Sequence, residues 1–79
     1  MLDEALLKKV MSAVLKIDEA LINQDSSSDN IEGWDSLKHM NLVIALEQEF
    51  GVTIPDEEVG TITSYRLIAL VLRDLRKGE

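Results

Sequence analysis

Leu6, Leu7, Val10, Met11, Val14, Leu15 and Ile17 return at steps of three and four, the spacing of one helix face. The pattern predicts a first helix between Leu2 and Ile17, with Asp3 and Glu4 at its start, where the helix dipole favours negative charge. The periodicity then lapses. From Asp18 to Trp34 the run Gln24-Asp25-Ser26-Ser27-Ser28-Asp29-Asn30 consists of short polar side chains that compete with the backbone for hydrogen bonds, which favours loop. This connector is long for so small a chain and is expected to be anchored by Leu21, Ile22, Ile31 and Trp34.

Apolar periodicity resumes after Asp35, a preferred cap, and a second helix is predicted from Asp35 or Ser36 to Phe50, stopped by Gly51 in the left-handed conformation. At 100° per residue, Leu42, Val43, Leu46 and Phe50 fall within an arc of about 100°, the width of a core-facing stripe. Leu37, Met40 and Ile44 form a separate stripe about 140° away, with Asn41, Glu47 and Gln48 beside it. A small helical domain does not easily bury both, so the second stripe is a candidate docking surface.

Val52-Thr53-Ile54-Pro55 reads as extended, and Asp56-Glu57-Glu58-Val59 as one acidic helical turn after a proline. Thr63 or Ser64 is expected to cap a last helix whose core face is Leu67, Ile68, Val71, Leu72 and Leu75, closing with Arg73, Arg76 and Lys77 at the end that favours cations. The predicted outline is all-α: three longer helices and one short one, with a long loop between the first two and no strand long enough to build a sheet.

Seventy-nine residues allow one small domain, taken as residues 1–79, and a site on such a chain is a surface feature or a shallow pocket. A hydrophobic content of 46% against 29% charged residues is that of a folded domain. No cysteine is present, which excludes disulfides, thiolate metal sites and a cysteine nucleophile. Fifteen Asp and Glu against eight Lys and Arg give a formal charge of -7, which disfavours nucleic acid and anionic membrane and favours basic patches on other proteins. No basic-then-apolar leader opens the sequence and no apolar run approaches a membrane span, so a cytoplasmic monomer is expected.

The segment Gly33-Trp34-Asp35-Ser36-Leu37, then an apolar helix, then Glu47-Gln48-Glu49-Phe50-Gly51-Val52-Thr53-Ile54-Pro55-Asp56-Glu57-Glu58, then Thr61-Ile62-Thr63-Ser64, resembles the acyl carrier protein family over the whole chain. The resemblance implies that the helices form a small four-helix bundle and that a covalent 4'-phosphopantetheine, donated by coenzyme A, is esterified to Ser36 and holds an acyl-type cargo as a thioester. It implies that Asp35 assists the modifying transferase and that Leu37 completes the attachment motif. It implies docking of basic enzyme patches onto acidic residues, here drawn from Asp35, Glu47, Glu49, Asp56, Glu57 and Glu58, beside the Leu37, Met40 and Ile44 stripe. The partners expected are a phosphopantetheinyl transferase and cargo-loading and cargo-processing enzymes, in fatty acid or secondary metabolite biosynthesis.

The residues themselves agree at two points. A serine at a helix N-terminus sits where backbone N–H groups and the dipole stabilise a phosphate. The absent cysteine is no obstacle when the thiol arrives on an arm.

No catalytic residue and no metal ligand is assigned. Serine needs an adjacent base to act as a nucleophile, and no Ser-His-Asp set is found. His39, three residues after Ser36, is given no catalytic role. Asp25, Ser27 and Asp29 begin like a calcium loop, but Asn30 stands at its glycine and Ser36 at its bidentate glutamate. Lys38, His39, Met40 and Asn41 occupy first-turn positions that are acidic in fatty-acid-synthesis carriers, which points to a specialised pathway. An aminoacyl or peptidyl carrier, and an arm-less helical interaction module using the Leu37, Met40 and Ile44 stripe, stay open as alternatives.

Overall fold

The computed structural model describes residues 2–77 of the chain. Its elements are α1 (Glu4–Leu15), a single 3-10 turn (Glu19–Leu21), α2 (Ser36–Phe50), α3 (Asp56–Val59) and α4 (Tyr65–Lys77). Among the described residues there is no strand, only an isolated antiparallel bridge between Ser27 and Ser64. The expected all-α bundle of three longer helices and one short one is what forms. No helix among the described residues is long and apolar enough to cross a membrane.

The three longer helices each start at a local polar group, whereas α3 follows Pro55 with no side-chain cap. The Asp3 carboxylate accepts from the Leu6 N–H at 3.0 Å and opens α1. Asp35 accepts from the Lys38 N–H at 2.8 Å and opens α2. Ser64 rather than Thr63 opens α4, its hydroxyl oxygen accepting from the Leu67 N–H at 3.2 Å. Gly51, at φ +64°, stops α2 as expected. α1 ends two residues earlier than the periodicity predicted, because Lys16 turns left-handed at φ 58°. The N–H groups of Lys16 and Ile17 both return to the Ser12 carbonyl, and the Ser12 hydroxyl donates to the Ile17 carbonyl, so the terminus is closed without a glycine.

The core joins Leu7, Val10, Met11 and Leu15 of α1 to Leu42, Val43, Leu46 and Phe50 of α2 and to Tyr65, Ile68, Ala69 and Leu72 of α4, with Ile22, Trp34, Ile54 and Ile62 from the connections. Two expectations are corrected. Leu67, predicted on the core face of α4, is 41% exposed, and its place is taken by Tyr65 and Ala69. Leu21, predicted as an anchor of the connector, is 67% exposed, while Ile22 and Trp34 are buried and Ile31 is half-buried against the core. The side chains of Arg76 and Lys77, expected at the end of α4, lie outside the described residues.

The connector is held by its own polar side chains. Asn23 Oδ1 accepts from the Asp25 N–H, Asn30 Oδ1 accepts from the Ser27 N–H, and Asn30 Nδ2 donates to the Asp25 carbonyl. The buried Ser26 accepts the Asn23 N–H with its hydroxyl and the Tyr65 N–H with its carbonyl, and the Ser28 N–H donates to the Thr63 carbonyl. The loop is thereby tied to the start of α4, and Ser28 and Thr63 line the same cavity as Asp35 and Ser36 at the start of α2.

Candidate functional site

Ser36 is the first residue of α2 and is exposed, one position after the capping Asp35. The first N–H groups of a helix have no intrahelical acceptor, so this end of α2 presents donors and a positive dipole beside the Ser36 hydroxyl. Asp35 and Ser36 border a surface cavity of about 580 Å³ whose other walls are Ser28, Trp34, His39, Met40, Gly60 and Thr63. Part of this lining is apolar, from Trp34 and Met40, and part is hydroxyl, from Ser28 and Thr63.

Leu37, Met40 and Ile44 are 70%, 49% and 49% exposed, whereas Leu42, Val43, Leu46 and Phe50 are buried. The second stripe of α2 is thus free of the core and runs away from Ser36 along the helix surface. Met40 belongs both to this stripe and to the cavity; Leu37 and Ile44 do not line the cavity.

The acidic residues divide into two kinds. Glu49, Asp56 and Glu57 are exposed, the last two on the first turn of α3. Glu47 is half-buried, and its carboxylate accepts from the Ile54 N–H at 2.8 Å, so it fastens the extended segment after α2 as well as facing outward. Glu58 is likewise engaged, accepting from the Thr61 hydroxyl at 3.2 Å.

His39 is half-buried and has both ring nitrogens in use. Trp34 Nε1–H, which can only donate, gives a hydrogen bond of 3.0 Å to His39 Nδ1. His39 Nε2 stands 2.6 Å from the Val59 carbonyl, which can only accept, so Nε2 carries the proton and donates. The two partners fix the tautomer, with Nδ1 accepting and Nε2 donating. The Trp34 and His39 rings are stacked, with centroids 6.1 Å apart and planes inclined by 24°. With both nitrogens committed, His39 offers Ser36 no base. Among the described residues, no group of three or more His, Cys, Asp or Glu is placed to hold a metal ion.

The cavity brings Asp35, Ser36 and Met40 together, and no sequence pattern announces that Trp34, His39 and Val59 are joined. Trp34 lies outside the helix that carries His39, and Val59 is 20 residues further on, so no periodic pattern links the three.

Two comparisons bear on this arrangement. Residues 5–72 match the family model described as "Phosphopantetheine attachment site". The fold is similar to the solution structure of holo acyl carrier protein from Geobacter metallireducens, with a TM-score of 0.82 and 23% sequence identity, covering 94% of this chain and 85% of that one.

Proposed function

The chain belongs to the family of phosphopantetheine attachment domains, a carrier rather than a catalyst whose cofactor is covalent 4'-phosphopantetheine, and from that premise we propose that Ser36 is the attachment point and that the cargo is of acyl type. The observation that carries this reading is the exposed Ser36 hydroxyl at the first residue of α2, on the rim of the 580 Å³ cavity and next to the Leu37, Met40 and Ile44 stripe.

In this reading Ser36 Oγ bonds to the phosphorus of the coenzyme A diphosphate that bears the pantetheine half, and the bond from that phosphorus to the nucleotide half breaks. The hydroxyl proton leaves to a base of the transferase, since His39 is committed elsewhere. Asp35 holds the helix start, with its carboxylate at the surface where the transferase and its metal ion approach. The phosphodiester then faces the donor end of α2. Bound there, the arm supplies the terminal thiol that this cysteine-free chain lacks, and the thiol holds the cargo as a thioester.

Partner enzymes meet the apolar stripe of α2 with Asp56 and Glu57 at its flank. A net charge of -7 suits brief, salt-sensitive encounters with basic patches. Residues 1–79 act as one carrier domain, monomeric and cytoplasmic.

The test is the intact mass after incubation with coenzyme A, magnesium and a broad-specificity phosphopantetheinyl transferase. One phosphopantetheine should be added to the wild-type chain and none to Ser36→Ala. Addition that survives in the variant would place the arm elsewhere, and no addition to either would remove the carrier reading of this serine.

A further inference from the structure

Ser36 and His39 lie one helical turn apart on α2 and, with Met40 and the capping Asp35, line one side of a cavity whose other walls come from elsewhere in the chain. Trp34 is supplied by the connector before α2, and Gly60 and Thr63 by the segment that leaves α3. α3 itself is a single turn of four residues, too short to hold its shape without tertiary ties. One side chain reaches both walls: His39 receives the Trp34 indole N–H on Nδ1 and gives its Nε2 proton to the carbonyl of Val59, the last residue of α3.

We propose that His39 is a positioning residue for the arm, holding Trp34 and the end of α3 as the two walls of the groove in which the pantetheine portion rests. The proposal depends on the assignment of Ser36 as the attachment point. An imidazole with both nitrogens engaged suits this work: it is an acceptor on one edge and a donor on the other, at a separation set by a rigid ring. Met40 and the small exposed edge of Trp34, whose ring is stacked on His39, offer apolar surface to the methylene and methyl groups of the arm. Half-buried Ser28 and Thr63, joined by the Ser28 N–H to Thr63 carbonyl bond at 2.9 Å, bring hydroxyls to the side where the arm's amides would lie. Loss of the imidazole contacts would free the indole and the end of α3 together, and the groove would lose definition on two sides at once.

The test converts wild type, His39→Gln and His39→Phe to the holo form and confirms by mass that each carries one arm. Trp34 is the chain's one tryptophan, so its emission, and the magnetisation contacts between its indole and the arm, report on the groove directly. In the wild type, loading should shift Trp34 emission and give arm-to-indole contacts. His39→Gln, whose amide has an oxygen for the indole N–H and an N–H for the Val59 carbonyl, should keep both signals. His39→Phe, which keeps a stacked ring and loses both hydrogen bonds, should lose both signals while still accepting the arm.

Signals of wild-type size in His39→Phe, or none in the wild type, would overturn the proposal. Failure of every variant, and of the wild type, to gain mass would instead remove the assignment of Ser36 and the proposal with it. Where His39→Phe does not fold, the wild-type holo protein decides. Arm-to-indole contacts together with a slowly exchanging His39 Nε2 proton support the groove, and the lack of either overturns it.

Discussion

The carboxylate of Asp35 accepts the Lys38 N–H at 2.8 Å while remaining exposed, so it serves the helix and stands open to an approaching enzyme at the same time. The two roles respond differently to substitution. Asp35→Asn keeps an oxygen for the Lys38 N–H and should leave stability within a few tenths of a kcal/mol, whereas Asp35→Ala leaves the donor without its cap and should cost about 1 kcal/mol. Both remove the negative charge, so both should slow the attachment of phosphopantetheine. Thermal melts and a time course of the mass gain check the two effects separately; a normal loading rate for Asp35→Asn would show that Asp35 is a cap and nothing more. At this scale the sequence was readable where the chemistry is local. A cap and the serine beside it declare themselves within four residues. His39 did not, because its meaning lies in Trp34, outside the helix, and in a carbonyl of α3 that no side-chain pattern records.

Helix α2 was legible from end to end, stripes included, because its cap, its stop glycine and its apolar spacing agree. The other helices were read less completely for identifiable reasons. α1 ends at a left-handed Lys16, and nothing about a lysine announces that conformation; the Ser12 hydroxyl and carbonyl that close the terminus are also what exclude Ile17 from the helix. In α4, Leu67 to Leu72 is an unbroken apolar run, which gives a helix without fixing which side faces inward. The structure turns Tyr65, Ile68, Ala69 and Leu72 in and leaves Leu67 and Leu70 out. The two faces of α2 make opposite predictions. Leu46→Ala removes a fully buried side chain and should cost 2–5 kcal/mol, roughly the order of the whole stability of a small domain. Leu37→Ala and Ile44→Ala, on the exposed stripe, should change stability by no more than about 0.5 kcal/mol but weaken the association of the holo protein with a partner enzyme. Urea unfolding and equilibrium binding check the pair of outcomes. A large stability loss in Leu37→Ala would mean that the second stripe packs against the bundle.

Across the whole molecule, the first turn of α1 and the first turn of α4 are joined by one hydrogen bond: the Tyr65 hydroxyl donates to Glu4 Oε1 at 2.7 Å, spanning 61 positions of sequence. Arg73 of α4 stands 3.9 Å from the other oxygen of Glu4. The same Tyr65 gives its backbone N–H to Ser26, so α1, the connector and α4 converge on a residue that is only 2% exposed. Burial, then the hydrogen bond to Glu4 and its negative charge, push the phenol from its ordinary 10.0 up to about 12, with Arg73 opposing. A raised folded value means that the fold favours the neutral phenol. The stability contributed is therefore fully present below pH 10 and is lost as pH rises from 10 towards 12, where the ionised oxygen can no longer donate and repels Glu4. The informative quantity is the difference between wild type and Tyr65→Phe. The variant should be less stable by about 1 kcal/mol at neutral pH, through the lost hydrogen bond and the acceptor left behind. The difference should shrink as pH rises from 10 to 12, since only the wild type has a phenol to ionise. Tyr65 is the chain's one tyrosine, so its phenolate absorbance can be followed directly alongside urea unfolding. Parallel stability curves through that interval, or a phenol that ionises at its ordinary value in the folded chain, would show that the two helix starts are not coupled through this bond.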